Sequence, residues 1–499
     1  MDTSLHVEDS SGKAAGSFKG LSGFIIDYLR KKGADYGDLR CVRTTTESIQ
    51  VRDAAIEGFS TGSSAGIGIR VLYRGAWGFA STNSVSEKDG LRAADQALSM
   101  AAAFSSVNRS RVRLSGCEPH VDCYSTPFRI DPFTVPPEEK IGLLIGLTDS
   151  AMRVRDIAVC EAFMEFSRED KEFLSTEGAH ITQSILTSGG GYHVIAEDGK
   201  DAQRRSYPDA HHGLFVTGGY EVFDELKMAD SVGSVTGEAR ELLKARECPS
   251  RKMDIIIDGS QLALQIHESC GHPSELDRVL GSETGFAGGS FLTLDKRGVY
   301  RYGSRHVNIY ADPGIDGGAG SYKYDDEGVR GRRVDIVRQG VFMDYLTSRE
   351  SSAVIGQGSN GSMRAEGWSG VPLVRMSNIC IEPGEPSLED LIADTRDGIL
   401  MSTNRSWSID DLRLNFQFGA EAAYRIKNGK VGEMYKNPVY YGITPEFWAS
   451  CDGVCNRGEW RMWGLNSCGK GEPMQTANVG HGASPARFRG VNVGVFRDE

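Results

Sequence analysis

The sequence predicts an α+β fold in two parts: an N-terminal domain of mixed strands and helices over residues 1–240, and a strand-rich C-terminal domain over 241–499. Three observations predict it. Glycine is abundant, 61 of 499 residues against a usual ~7%, and it falls between strand-like runs, which implies many tight turns. Helical periodicity is concentrated in the first half. Strand-like runs dominate after the stretch 232–250, where the domain boundary is placed.

Residues 1–17 are small and polar and are expected to be loose. Leu21 to Lys32 has helical spacing, and Cys41 to Asp53 and Ala65 to Thr82 read as strands, the latter a hairpin turning at Arg74-Gly75. Alanine-rich Glu87 to Phe104 is a helix. Pro136-Pro137-Glu138-Glu139 opens another, with proline in the first turn and acids favouring the dipole. Strands follow at Ile157–Phe166, Glu172–Thr176, His180–Ile195 and Gly213–Tyr220, then a charged helix from Gly237 to Arg246. In the second half Val299–Ala311, Arg333–Val337 and Val341–Leu346 read as strands. Asn428-Gly429 is a strong hairpin signal, and Ser387 starts a helix that stops at Gly398. The glycine clusters at 189–191 and 317–320 read as turns. The adjacent His211-His212 would point to opposite strand faces, so they are not expected to share a metal.

The chemistry concentrates in His267-Glu268-Ser269-Cys270-Gly271-His272. Zinc binds imidazole readily, and an adjacent glutamate can take a proton from the attacking water. The spacing is one residue longer than the common His-Glu-x-x-His. On a regular helix a five-residue step lands about 140° away, so two such His cannot share a metal unless a π turn closes in five residues or the helix ends between them. Gly271 and Pro273 favour that irregularity, with Pro273 biasing His272 away from the α region. Met253-Asp254-Ile255-Ile256-Ile257 reads as a buried strand, and Ser260 is placed to cap a short apolar helix leading into the motif.

A zinc site needs a third protein ligand. Cys270 lies between the two His and is assigned a packing role. Glu275 could ligate or could hold a ligand in place. Cys468 sits in a glycine-flanked segment read as a loop, with Lys470 nearby to favour its thiolate. Spacing does not choose between Cys468 and Glu275. Gly464-x-x-x-x-Gly469-Lys470 is a near match to a phosphate-binding loop, but Gly471 replaces the required Ser or Thr and no apolar strand leads in. Cys451 and Cys455 are four apart, which is no standard zinc pair.

These motifs, with Asp325-Asp326-Glu327-Gly328, Arg364, Pro372 to Asn378 and Cys468-Gly469-Lys470, closely resemble the TldD/PmbA family of zinc metallopeptidases, in its catalytic TldD-like branch. The C-terminal half carries the resemblance densely. The N-terminal half carries it loosely, through Ile67 to Val71 and Gly78-Phe79-Ala80. Pro273 stands where the family often has glycine. The resemblance implies one Zn2+ per catalytic chain on His267, His272 and Cys468, with Glu268 as general base. It also implies short or unfolded peptide substrates, and a homodimer or a heterodimer with a PmbA-like paralogue. Arg364 is a candidate for anchoring a peptide carbonyl or carboxylate, and His481 a candidate for substrate contact. A regulatory subunit of a peptidase pair, or a metal-dependent hydrolase of a non-peptide amide or ester, are the alternatives.

Composition excludes other classes. A net charge of −12 argues against nucleic-acid binding. No apolar run approaches the ~20 residues of a membrane span. Ten cysteines scattered through a long chain without a signal peptide are expected of a cytoplasmic protein.

Overall fold

The computed structural model describes residues 21–108, 110–210, 213–286 and 288–496. The loose segment expected at 1–17 and the pair at 211–212 lie outside the described residues. The architecture is mixed, 24% helix and 42% strand, with the C-terminal half strand-rich, as the sequence predicts.

The first half is built on one sheet. It contains β1 (Tyr36–Arg52), β2 (Ala55–Tyr73), β3 (Ala76–Thr82), β4 (Val121–Ser125), β5 (Ile157–Ser175), β6 (His180–Glu197), β7 (Ala202–Tyr207) and β8 (Leu214–Thr217), in the order β3-β2-β1-β5-β6-β4. Strands β7 and β8 both pair with β6. Helices α1 (Leu21–Lys31), α2 (Glu87–Val107) and α3 (Pro137–Met152) supply the predicted helical segments. A short α4 (Val222–Leu226) then leads into α5 (Met228–Lys244), which starts nine residues before the Gly237 expected from its charge pattern. Alanine, not leucine, lines the buried stripe of α2, at Ala93, Ala94, Ala97 and Ala101. Small residues there let the backbone of Ala97 lie against Gly78 of β3.

Several expectations are corrected. Residues 189–191 are not a turn but the middle of β6. A Cβ on Gly189 would meet the Phe215 ring at 2.3 Å and one on Gly190 the carbonyl of Phe163 at 2.5 Å. These glycines serve close packing, a use of glycine that resembles a turn signal in sequence. The run 299–311 is strand only at Ile309–Ala311, because a turn in which Val307 bonds the Ser304 carbonyl interrupts it. Strand 341–346 ends at Phe342, after which Tyr345 turns inward to bond the Leu292 carbonyl. The two-residue hairpins expected at Arg74-Gly75 and Asn428-Gly429 form, and a third joins the strands at Gln339-Gly340, every residue of the three turns left-handed.

The second half closes a ring of five strands. After the two-residue β9 (Arg246–Glu247), β10 (Arg251–Ile257) pairs with Asp397–Ile409 on one side and Ala486–Val495 on the other. Pro438–Ile443 and Asn415–Lys427 continue round, and the last pairs back onto Asp397–Ile409. Phe418, Tyr440, Trp448 and Phe488 are fully buried in this core. Ile255, Ile256 and Ile257 anchor β10, and α6 (Gly259–Ile266) leaves its end with Leu262 and Ile266 fully buried. Packing therefore fixes the direction in which α6 delivers the motif.

A hairpin of Arg461–Lys470 and Gln475–Ala483 lies against α6 and reaches the first sheet. At Gly464 the approach is so close that a Cβ would sit 1.8 Å from the Phe215 carbonyl of β8. Gly464→Ala should therefore push the hairpin off β8 and lower stability by about 1–3 kcal/mol, read as a drop in the denaturation midpoint. An unchanged midpoint would mean that this contact does not hold the hairpin.

Candidate metal centre

The helix geometry resolves the five-residue spacing. Asp258, not Ser260, caps α6, its side chain accepting from Gln261 N–H, while Ser260 lies inside the first turn. α6 is regular to Ile266. From His267 to Gly271 the backbone makes one π turn, in which His272 N–H donates to the His267 carbonyl, and a 3₁₀ turn follows over His272–Ser274. Of the two anticipated irregularities the π turn is the one present, and the helix does not end between the two His. His272 nevertheless stays in the right-handed helical region despite Pro273. The proline has no N–H to place and sits in the first positions of the 3₁₀ turn, where none is needed. Gly271 is required by contact, since a Cβ would meet the sulfur of buried Met376 at 2.0 Å.

The π turn sets the two imidazoles edge to face, centroids 4.8 Å apart. Cys468 arrives from the hairpin and is not in a loop, as expected, but on a strand, next to an irregularity between Leu465 and Cys468. Its sulfur lies 3.4 Å from His267 Nε2 and 3.8 Å from His272 Nε2. All three ligand atoms fall within 4.8 Å of one another, and all three residues are buried. Tetrahedral zinc with ordinary Zn–N and Zn–S lengths separates its N and S ligands by about 3.5 Å. The donor set fits zinc.

Neighbouring groups fix both tautomers. The Ile379 carbonyl can only accept, so His481 Nδ1–H donates to it at 3.2 Å, leaving His481 Nε2 to accept from His267 Nδ1–H at 2.8 Å. His272 Nδ1–H donates to Glu275 Oε2 at 3.1 Å. Each ring therefore turns an unprotonated Nε2 toward Cys468. Burial also pushes the His267 pKa down, favouring the neutral ring. Glu275 thus sits behind His272. Burial opposes its charge, but Lys470 at 3.2 Å and His272 outweigh this and hold it well below the usual carboxylate range. Lys470 is committed to Glu275 and Asp277. Burial raises the Cys468 thiol, and His272 with Arg375, not Lys470, more than offset that and lower it.

Glu268 points to the same cavity. Its Oε2 accepts from Arg413 Nη1 at 2.6 Å. Burial raises this carboxyl, and His272, His267 and Arg413 together bring it below its ordinary value. Arg413 was not singled out from sequence. It lies in the left-handed region in a turn pinned by Asp410, which accepts from the Leu414 and Asn415 N–H groups. No local motif marks it, since its partner is 145 residues away.

The remaining candidates fall elsewhere. Cys270 is buried against the Tyr302 hydroxyl at 2.9 Å, burial pushing its thiol up to about 12. Both ring nitrogens of His481 are engaged within the protein, so it positions His267 and has none left for a substrate. Arg364 does not line the cavity over the cluster. It borders a separate cavity of about 980 Å³, with Nη1 on the Met376 and Asn478 carbonyls at 2.8 and 2.7 Å. The segment around Lys470 is strand, with no phosphate cradle.

Residues 250–495 match the C-terminal domain of the PmbA/TldA metallopeptidases, 130–247 their central domain and 37–101 their domain 1. The chain belongs to the PmbA/TldD metallopeptidase family. A metalloprotease of Methanocaldococcus jannaschii is 32% identical over 470 residues, covering 93% of this chain and 97% of the relative. A zinc metalloprotease TldD homolog of Saccharolobus solfataricus is 24% identical, covering 95% and 100%. TldE from Thermococcus kodakarensis shares the fold, with a TM-score of 0.70 at 18% identity over 95% of this chain and 99% of that structure. Among the described residues no helix is long and apolar enough to cross a membrane.

The hydrogen bond from His267 to His481 is the most exposed to test. His481→Phe removes the acceptor and should weaken zinc affinity about 10–100-fold, measured by competition with a chromogenic chelator. Unaltered affinity would show that His267 needs no such support.

Proposed function

We propose that this chain is a zinc-dependent peptidase in which His267, His272 and Cys468 hold the metal and Glu268 is the general base. The observation that carries this reading is the convergence of two Nε2 lone pairs and one sulfur beside a glutamate from the same turn. A zinc ion so held supplies a Lewis acid and makes water a nucleophile near neutral pH.

The chain's own groups supply the rest. Arg413 occupies one oxygen of Glu268 and keeps the carboxylate charged and oriented, leaving Oε1 to take the proton of the attacking water. The same carboxyl then returns that proton to the leaving amine. The scissile carbon gains the water oxygen as its bond to nitrogen breaks. The cavity over the cluster, about 390 Å³ and walled by Trp407, Trp463, Leu264 and Leu465, accommodates a short stretch of chain. Short or unfolded peptides are the substrates this supports. A cytoplasmic location and pairing, with itself or with a PmbA-like paralogue, belong to the same reading. The ten cysteines, none in a disulfide, are compatible with a reducing compartment.

The test compares three variants by metal analysis and by digestion of a peptide library with and without chelator. Cys468→Ser should lose most of its zinc and all turnover, because a neutral hydroxyl replaces a charged soft ligand. Cys270→Ser should keep both. Glu268→Ala should keep zinc and lose turnover. Zinc retained without Cys468 but lost without Cys270 would reverse the ligand assignment, and normal hydrolysis by zinc-loaded Glu268→Ala would remove the general base.

A further inference from the structure

The cavity over the metal cluster has a polar end that the proposed hydrolysis does not use. Asp209 lies there, in the segment after β7, with Oδ1 accepting from Ala210 N–H at 2.8 Å. Among the described residues it has no ion-pair partner. The nearby Arg205 is committed to Glu238 at 2.8 Å and Glu421 at 3.1 Å. Burial pushes the Asp209 carboxyl up to about 8, and Asp258 and Glu421 push the same way. Among the described residues an acid stands near other acids with no free cation beside it.

Asn404 lines the same cavity and is 5% exposed. Its Nδ2 faces three acceptors, Gln261 Oε1 at 3.3 Å, the Ser406 carbonyl at 3.2 Å and the Gly419 carbonyl at 3.3 Å. That fixes which end of the amide is which. Its Oδ1 has no partner, and neither does Nε1–H of Trp463 in the cavity wall. A buried acceptor and a buried donor left open beside a carboxyl group with no ion-pair partner among the described residues have a value only if something else completes them.

We propose that Asp209, with Asn404 Oδ1, binds the free α-ammonium of a peptide, so that the enzyme releases fragments of about two or three residues from the amino end. The inference rests on the peptidase reading. An ammonium supplies the missing cation and the missing donors, and the first peptide carbonyl can accept from Trp463. A carboxyl terminus would meet Asp209 there and find no free cation beside it among the described residues.

The reach follows from the helix. Asp209 interacts with Ser260 at the start of α6. His267 is seven positions beyond Ser260, about 10 Å at the rise of an α-helix. An extended peptide covers that span in about three residues. Water then adds across the second or third amide, giving the short fragment a new carboxylate and the remainder a new amine. Trp407, Leu264 and Leu465 offer apolar contact to the intervening side chains.

The experiment separates binding from turnover. Zinc-loaded Glu268→Gln protein is titrated with an alanine-rich octapeptide and with its N-acetyl form, and the products of the wild-type enzyme are sized by mass spectrometry. The free-amine peptide should bind at least tenfold more tightly. Asp209→Asn in the same background should bring the ratio near one, and the first products should be di- and tripeptides from the amino end. Asn404→Ala, which should lower the ratio severalfold, keeps the test decisive if Asp209→Asn does not fold. Equal binding of both peptides, or a preference that survives Asp209→Asn, overturns this inference while wild-type hydrolysis leaves the peptidase reading intact. Zinc-loaded wild-type protein that hydrolyses neither peptide overturns that reading instead.

Discussion

Two imidazoles five residues apart must reach one point, and a regular helix forbids it. The rest of the site is organised by that constraint. The π turn from His267 to Gly271 satisfies it by widening one turn, which brings the backbone at Gly271 against Met376 and leaves no room for a side chain. A widened turn weakens the regular hydrogen-bond ladder. It is tolerable because the helix before it is held at both ends, by the Asp258 cap and by Leu262 and Ile266 in the core of the strand ring.

Round this turn the buried charges nearest the motif stand in pairs. Glu275 answers His272 on one side and Lys470 and Arg278 on the other, and Glu268 answers Arg413. Burial of such groups is costly unless each is paired. The pairs come from separate stretches of chain, so the electrostatics of the site are satisfied only when the strand ring, the hairpin and the Asp410–Asn415 turn are all in place. The His481 to His267 bond uses the same hairpin that carries Cys468, so ligand and orienting group move as one piece.

How much of this was legible in the sequence depended on range. His267, Glu268 and His272 announce themselves by spacing, and the spacing alone demands the helical irregularity. Paired left-handed residues at Asn428-Gly429 and Arg74-Gly75 were readable because turn chemistry is local. Cys468 was one option among several until the family resemblance favoured it. Arg413 carries no signal because its partner lies far along the chain, and Asp209 none because the cavity it lines is assembled from distant segments. The glycines at 189–191 misled for a different reason. Packing and turning demand the same residue, and only the neighbours Phe215 and Phe163 tell them apart. The helix cap was misjudged by two residues, Asp258 and Ser260 being equally good cap formers.

The sulfur of Cys468 lies 201 residues beyond His267 along the chain. A metal shared between them would therefore also be a cross-link, closing a loop of roughly two hundred residues. By the entropy of loop closure such a link disfavours the unfolded chain by about 5 kcal/mol, comparable with the whole stability of many domains. Zinc held as proposed would then be a structural staple as much as a reagent. A chain unable to retain it would forfeit part of the restraint that keeps the helical motif and the hairpin together.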